Sequence, residues 1–256
     1  MKRNLTDMAD ETQEGFTEQK NFDYGISIKR SKNKKTSVLS AEALNLFGAK
    51  LEEYLTEILK EELKKNFKLS KFKRILIVGL GNKDIFNDSL GPQTIEKLLV
   101  SRGLDLKPEV CAIAPNVFSN TGIETFDIIS SIVKVVEPDL VILIDSLATL
   151  SVERLCTCIQ VSKGGLVAGS GANLKNKKIS KTSLNVKNLI SIGVPMLIYA
   201  ENLLKETKGS IGGTNLILSP VNIKKSLALL SNIISSAING AIFKGMSKEE
   251  IDALTK

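Results

Sequence analysis

Short apolar runs alternate with longer amphipathic stretches from residue 73 to the end of the chain, the pattern of βαβ units. Ile75–Val78, Val110–Ala114, Leu140–Ile144, Leu155–Val161 and Leu189–Ile198 read as strands. Leu90–Ser101 and Ile123–Val136 read as helices between them, and Ile223–Phe243 as a long closing helix with apolar residues at 227, 230, 233, 234, 237, 238 and 242. Ser40–Phe67 reads as a further helix, capped by Ser40 and striped by leucines at 44, 46, 51, 55, 59 and 63. Gly193 and Pro195 are expected to break their strand. The alternation implies an α/β fold with a mainly parallel sheet flanked by helices. Residues 1–38 are polar and weakly periodic and read as an N-terminal arm, a candidate propeptide, ahead of one α/β domain over 39–256.

In such sheets, sites form beyond the carboxyl ends of the strands. The first strand ends in Gly79-Leu-Gly-Asn82, and Asp88-Ser-Leu-Gly-Pro92 follows. A second strand ends at Asp145. The Gly-x-Gly turn lacks the third glycine of a dinucleotide loop, because position 84 is Asp, and no acid follows the next strand to hold a ribose. The same glycines can instead form a sharp strand-to-loop turn that carries Asn82 and Asp88 over the sheet edge. Two close carboxylates push their pKa values apart, so one can hold a proton while the other activates water. Cation binding and plain helix capping remain alternatives for the pair. Thr121 and Glu124 have the spacing of a capping box, and Glu124 can equally face the cleft. Gly169-Ser170-Gly171 can offer backbone N–H groups to a carbonyl oxygen, or be a turn.

Composition narrows the chemistry. Hydrophobic residues make up 43% and charged residues 25%, within the range of globular proteins. There is no histidine, which removes the commonest general base, Ser-His and Cys-His nucleophile pairs and imidazole ligands. Neither a metal nor a cofactor is expected. The three cysteines are too few for a disulfide framework, and alternation places Cys156 and Cys158 on one face. No apolar run is long enough to span a bilayer, and residues 1–7 have no signal-peptide core, so the chain reads as cytoplasmic. The net charge of +7 is concentrated at Lys29–Lys35, Lys60–Lys73 and Lys175–Lys181. With no Trp and 3 Tyr there is little for bases to stack on, which argues against direct nucleic-acid binding.

Several segments in order, Val78-Gly-Leu-Gly-Asn82, Asp88-Ser-Leu-Gly-Pro92, Thr121-Gly-Ile-Glu-Thr125, Ile144-Asp-Ser-Leu-Ala148, Gly169-Ser-Gly171 and Ile192-Gly-Val-Pro195, resemble the germination protease family of spore-forming bacteria. Leu5-Thr-Asp-Met-Ala9 is similar to that family's N-terminal segment. The resemblance implies an unusual aspartic endopeptidase that cleaves small acid-soluble spore proteins during germination, with a fold like that of the hydrogenase maturation endopeptidases. It implies functional aspartates at Asp88 and Asp145, with Asn82, Glu124 and Gly169–Gly171 positioning substrate. It further implies a zymogen trimmed near its N-terminus, a homotetramer, and a place in the forespore or spore core. Departures from the family pattern at Leu150, Lys163, Val167 and Tyr199 leave a second reading, a homologue that binds spore or DNA-associated proteins without cleaving them.

Overall fold

The computed structural model of the chain describes residues 6–12, 15–33, 35–41, 49–167, 178–202 and 216–255. In chain order its main elements begin with α1 (Ala9–Thr12), β1 (Phe16–Asn21), β2 (Ile26–Ser31), β3 (Thr36–Ala41) and α2 (Ala49–Lys65). They continue with β4 (Arg74–Gly79), α3 (Leu90–Ile95), β5 (Glu109–Ile113), α4 (Phe118–Thr121), α5 (Thr125–Val136) and β6 (Leu140–Thr149). Then come β7 (Cys158–Ser162), the short pair β8 (Leu166–Val167) and β9 (Lys178–Ile179), α6 (Lys181–Leu184) and β10 (Leu189–Tyr199). β11 (Ile217–Leu218), α7 (Ile223–Ile242) and α8 (Lys248–Leu254) complete them.

Among the described residues, nine strands form one mixed sheet in the order β1-β2-β3-β7-β10-β6-β4-β5, with β11 added on β10. β10, β6, β4 and β5 are parallel; β7, β3, β2 and β1 extend the sheet antiparallel from β10. The central strands are largely apolar because both faces are covered, with Asp145, Ser146 and Ser191 among the exceptions. Their period of two sends Ile75, Ile77, Ile142, Ile144, Ile190 and Ile192 into a core with α2 and α7. Leu76, Val78, Val141 and Leu143 go to the opposite face, under Ile129 and Val133 of α5.

Several expectations change. Residues 16–41, assigned to an arm, supply three strands, and the expected boundary at 38/39 falls inside β3. The signal is the short alternation Ile26-Ser-Ile-Lys29, whose two isoleucines are 1% exposed. Ser40 does not cap a helix: it lies in β3 opposite Cys158, and α2 is described from Ala49, with Leu44 and Leu46 outside the described residues. Cys156 and Cys158 face apart, because Cys156 takes a left-handed φ of 59° that turns it toward Met196 while Cys158 packs near Val38 and Leu147. The strand expected from Leu155 therefore starts at Cys158. β10 is not broken: a register shift after Pro195 absorbs the proline, and Gly193 is there because a Cβ would lie 2.5 Å from Leu147 Cδ1. The helix expected to reach Ser101 ends at Ile95, where i→i−3 bonds take over and Asn239 Oδ1 of α7 accepts the Leu99 N–H.

One buried carboxylate ties the antiparallel half to the helical layer. Glu62 of α2, 4% exposed, accepts from Arg30 Nε (3.0 Å) and Nη2 (2.7 Å), Ser37 Oγ (2.5 Å) and Asn66 Nδ2 (2.6 Å). Burial alone would raise its pKa, but these bonds outweigh it and hold the carboxyl below its ordinary value. Deleting the carboxylate would leave the mostly buried Arg30 with only the half-exposed Glu18, at 3.2 Å, as an ion-pair partner. Glu62→Ala is expected to lose about 3 kcal/mol of stability in denaturant unfolding; a loss below about 1 kcal/mol, the size of an exposed pair, would contradict this.

Candidate active site

The site is built where β4 ends against β6. The ladder continues one residue past the strand, with Leu80 N–H donating to Ile144 O at 2.8 Å. The chain then has to double back, and three glycines permit it. A Cβ on Gly79 would lie 2.4 Å from the Gly91 carbonyl, and one on Gly91 would lie 2.4 Å from Leu80 O. Gly81, at φ +109°, would put a Cβ 1.9 Å from Asp88 O. The backbone that opens α3 is thus laid directly on the end of β4.

The loop between them closes on itself. Asn82 Oδ1 accepts from Asp84 N–H at 3.0 Å, Asp88 N–H donates to Ile85 O at 2.9 Å, and Asn82 N–H donates to Asp88 Oδ2 at 2.8 Å. Asp88 is therefore pinned over the sheet edge by the Gly-x-Gly-Asn turn. Asp145, within β6 and 8% exposed, accepts from Ser146 N–H at 2.8 Å through Oδ1. Among the described residues, no second hydrogen bond to either carboxylate is recorded. Ser146 Oγ is also buried there without a partner among those residues.

The two carboxylates interact electrostatically, and both are harder to ionise than usual. Burial pushes Asp88 up, against the opposing Asn82 N–H. Asp145 rises well above the ordinary carboxylate range, through burial first, then the charge of Asp88, then that of Asp7, against the Ser146 N–H. Asp88 thus ionises first and its charge helps hold the proton on Asp145.

Asp7 was not foreseen as a site residue. It pairs with the end of β6 in both directions, its N–H donating to Ala148 O at 3.0 Å and its Oδ2 accepting from Ala148 N–H at 2.9 Å. The residues after it are equally fixed. Met8 is fully buried beside Leu147, Ala9 N–H donates to Gln160 Oε1 at 2.7 Å, Asp10 takes both Arg154 nitrogens, and Glu11 accepts from Leu150 N–H at 2.9 Å. The only hint in the sequence was the family-like Thr6-Asp7 pair, which carries no periodic signal.

Asn82, Asp88 and Asp145 therefore come together as expected. Glu124 lies at the start of α5 on the same sheet edge, with no hydrogen bond or ion pair to either aspartate among the described residues. It is not part of a capping box. Thr121 instead ends the separate helix α4, its hydroxyl accepting from Ile123 N–H at 3.2 Å, and Glu124 is itself the N-cap residue without a side-chain cap. Gly169, Ser170 and Gly171 lie outside the described residues. Among those described, no group of three His, Cys, Asp or Glu side chains is arranged to hold a metal ion.

The fold and site define an α/β sheet protein with two electrostatically interacting acids, one of them buried, at the carboxyl edge of its parallel strands. The model of the germination protease family matches residues 27–211, and the chain belongs to that family. It is 39% identical over 181 residues to the germination protease of Geobacillus sp. (strain WCH70), an alignment covering 66% of this chain and 48% of that protein. It is 38% identical over 195 residues to that of Bacillus subtilis (strain 168), covering 72% and 53%. The chain spans about half the length of the curated relatives it matches. Among solved structures, the [NiFe] hydrogenase maturation protease HycI from Thermococcus kodakarensis KOD1 aligns at TM-score 0.42 and 17% identity, over 71% of this chain and 98% of that one.

Two predictions follow from the packing and the charges. Gly91→Ala is expected to cost about 1–3 kcal/mol in thermal or denaturant unfolding, because backbone rather than a movable side chain opposes the methyl; an unchanged stability would refute the close approach. A carboxylic acid whose pKa is higher folded than unfolded lowers stability as pH rises above its unfolded value, near ~3.9. Asp145→Asn should therefore raise the melting temperature at neutral pH, with the gain vanishing as pH falls below the unfolded value. A gain independent of pH would show that ionisation is not its cause.

Proposed function

We propose that this protein is an endopeptidase of aspartic type that cleaves small acid-soluble spore proteins. The observation that supports the reading is the asymmetric pair: Asp88, partly exposed, interacting with Asp145, which is more deeply buried and harder to ionise. Asp88 takes a proton from water as its oxygen attacks the scissile carbonyl. The C–O bond forms first, giving a tetrahedral intermediate, and Asp145 gives its proton to the amide nitrogen so that the C–N bond breaks as this intermediate collapses to the acid and the free amine. The Asn82 amide, Glu124 and the backbone of Gly169–Gly171 position the substrate carbonyl. By resemblance the enzyme acts as a homotetramer in the forespore or spore core, and is made as a zymogen. The docked segment through Thr12 lies across the end of β6 beside Asp145, and its removal is proposed to open the cleft.

The test incubates a small acid-soluble spore protein with the full chain and with a form lacking residues 1–12, and follows products by mass. Cleavage is expected, faster from the trimmed form, and Asp88→Asn and Asp145→Asn are each expected to lower it about 10²–10⁴-fold. Near-normal turnover in either single variant would sink the acid-pair mechanism. Tight binding without product from any form would favour the non-cleaving homologue. That reading draws on Leu150, an apolar residue 41% exposed just past the end of β6.

A further inference from the structure

The lysine-rich stretches that no part of the acid site uses are brought together by the fold. Lys68 and Lys71 follow α2, Lys163 follows β7, and Lys181 opens α6, yet all four line one cavity of about 280 Å³. Phe67 and Phe72 contribute to its wall, with Lys163 Nζ 5.3 Å from the Phe67 ring centre and Lys71 Nζ 5.0 Å from that of Phe72. The cavity also touches Leu189, where β10 begins. β10 is level with Asp145 only at Gly193, four residues on, or ~13 Å along the strand. This is a second site, at the opposite end of the sheet from the acids.

Among the described residues none of the four lysines forms an ion pair, whereas Lys64 and Lys65, a turn earlier, both pair with Glu61. The nearby carboxylate of Glu62 is already committed to Arg30, Ser37 and Asn66. Lys163 accordingly gives up its proton more readily than an ordinary lysine, through burial first and then the charges of Lys68 and Lys71, which outweigh the opposing charge of Glu62. Converging ammonium groups that repel one another and lack a protein partner form a site for an anion that supplies the missing charge.

We propose that this cavity binds a compact polyanion of the phosphate class, an oligophosphate or a small phosphate ester. Several charges within a small volume match four ammonium groups better than a single carboxylate does, and lysine binds phosphate as a point charge. The aromatic wall offers no free stacking platform, since Phe67 is only 3% exposed and Lys71 Nζ lies over the half-buried Phe72 ring, so recognition falls on charge rather than on a base.

Titration calorimetry of the full chain with inorganic pyrophosphate at low salt tests this. Saturable binding at one site per chain is expected, weakening as salt rises. The double variant Lys163→Met with Lys181→Met should bind roughly tenfold more weakly or worse, while Lys64→Met with Lys65→Met should match the parent. Circular dichroism melts check folding, and Lys68→Met with Lys71→Met replaces the first pair if that one unfolds. Absent saturable binding, or binding untouched by the lysine variants, would overturn the proposal. So would tight binding of duplex DNA that pyrophosphate does not displace, which would make the lysines part of an extended nucleic-acid surface.

Discussion

The acid site depends on a contact between two stretches of backbone with no side chain between them. Gly79 and Gly91 let the start of α3 rest on the end of β4 closer than any Cβ would allow. That approach fixes the length and path of the loop, and the loop fixes Asp88. Gly81 then brings the Asp88 backbone in toward the turn, so that the Asn82 N–H can hold its side chain. The same Gly-x-Gly pattern that serves phosphate binding in dinucleotide folds here serves close packing, and the functional group it delivers is a carboxylate.

Two environments in this protein show how burial alone does not decide the state of an acid. Glu62 and Asp145 are about equally hidden from solvent. Glu62 receives four hydrogen bonds, two of them from a guanidinium, and stays charged. Asp145 receives one hydrogen bond, from a backbone N–H, and feels the charges of two further carboxylates, and its pKa is pushed well above the ordinary carboxylate range. The first arrangement fastens strands to a helix. The second leaves a group that destabilises the fold at neutral pH, a cost expected where chemistry rather than cohesion is served.

Much of the parallel half was legible because strands covered on both faces are largely apolar, as Leu140–Ile144 is throughout and Leu189–Ile192 is apart from Ser191. The acids were legible for a topological reason: parallel strands present their carboxyl ends on one edge, so Asn82, Asp88 and Asp145 had to share it. The antiparallel half was hidden because β1 and β2 carry more polar than apolar residues, and their place depends on β7, far along the chain. Asp7 and Glu62 were hidden for the same kind of reason. Their partners, Ala148 and Arg30, are distant in sequence, and no local pattern announces a polar contact across such a gap. Where local signals did mislead, at Thr121 and Cys156, a short intervening helix or a single left-handed residue reset the spacing.

The position of β3 also governs the order of assembly. Its sheet partner on the inner side is β7, with Thr36 opposite Ser162, so β1 to β3 leave the ribosome well before the strand they must join exists. Until then β3 presents an open edge, a template on which another nascent chain can pair. The cationic residues of the adjoining strand and turn, Lys29, Arg30 and Lys32, surround this early meander with like charge. Repulsion between such segments would keep neighbouring chains on a polysome apart until β7 arrives to close the edge.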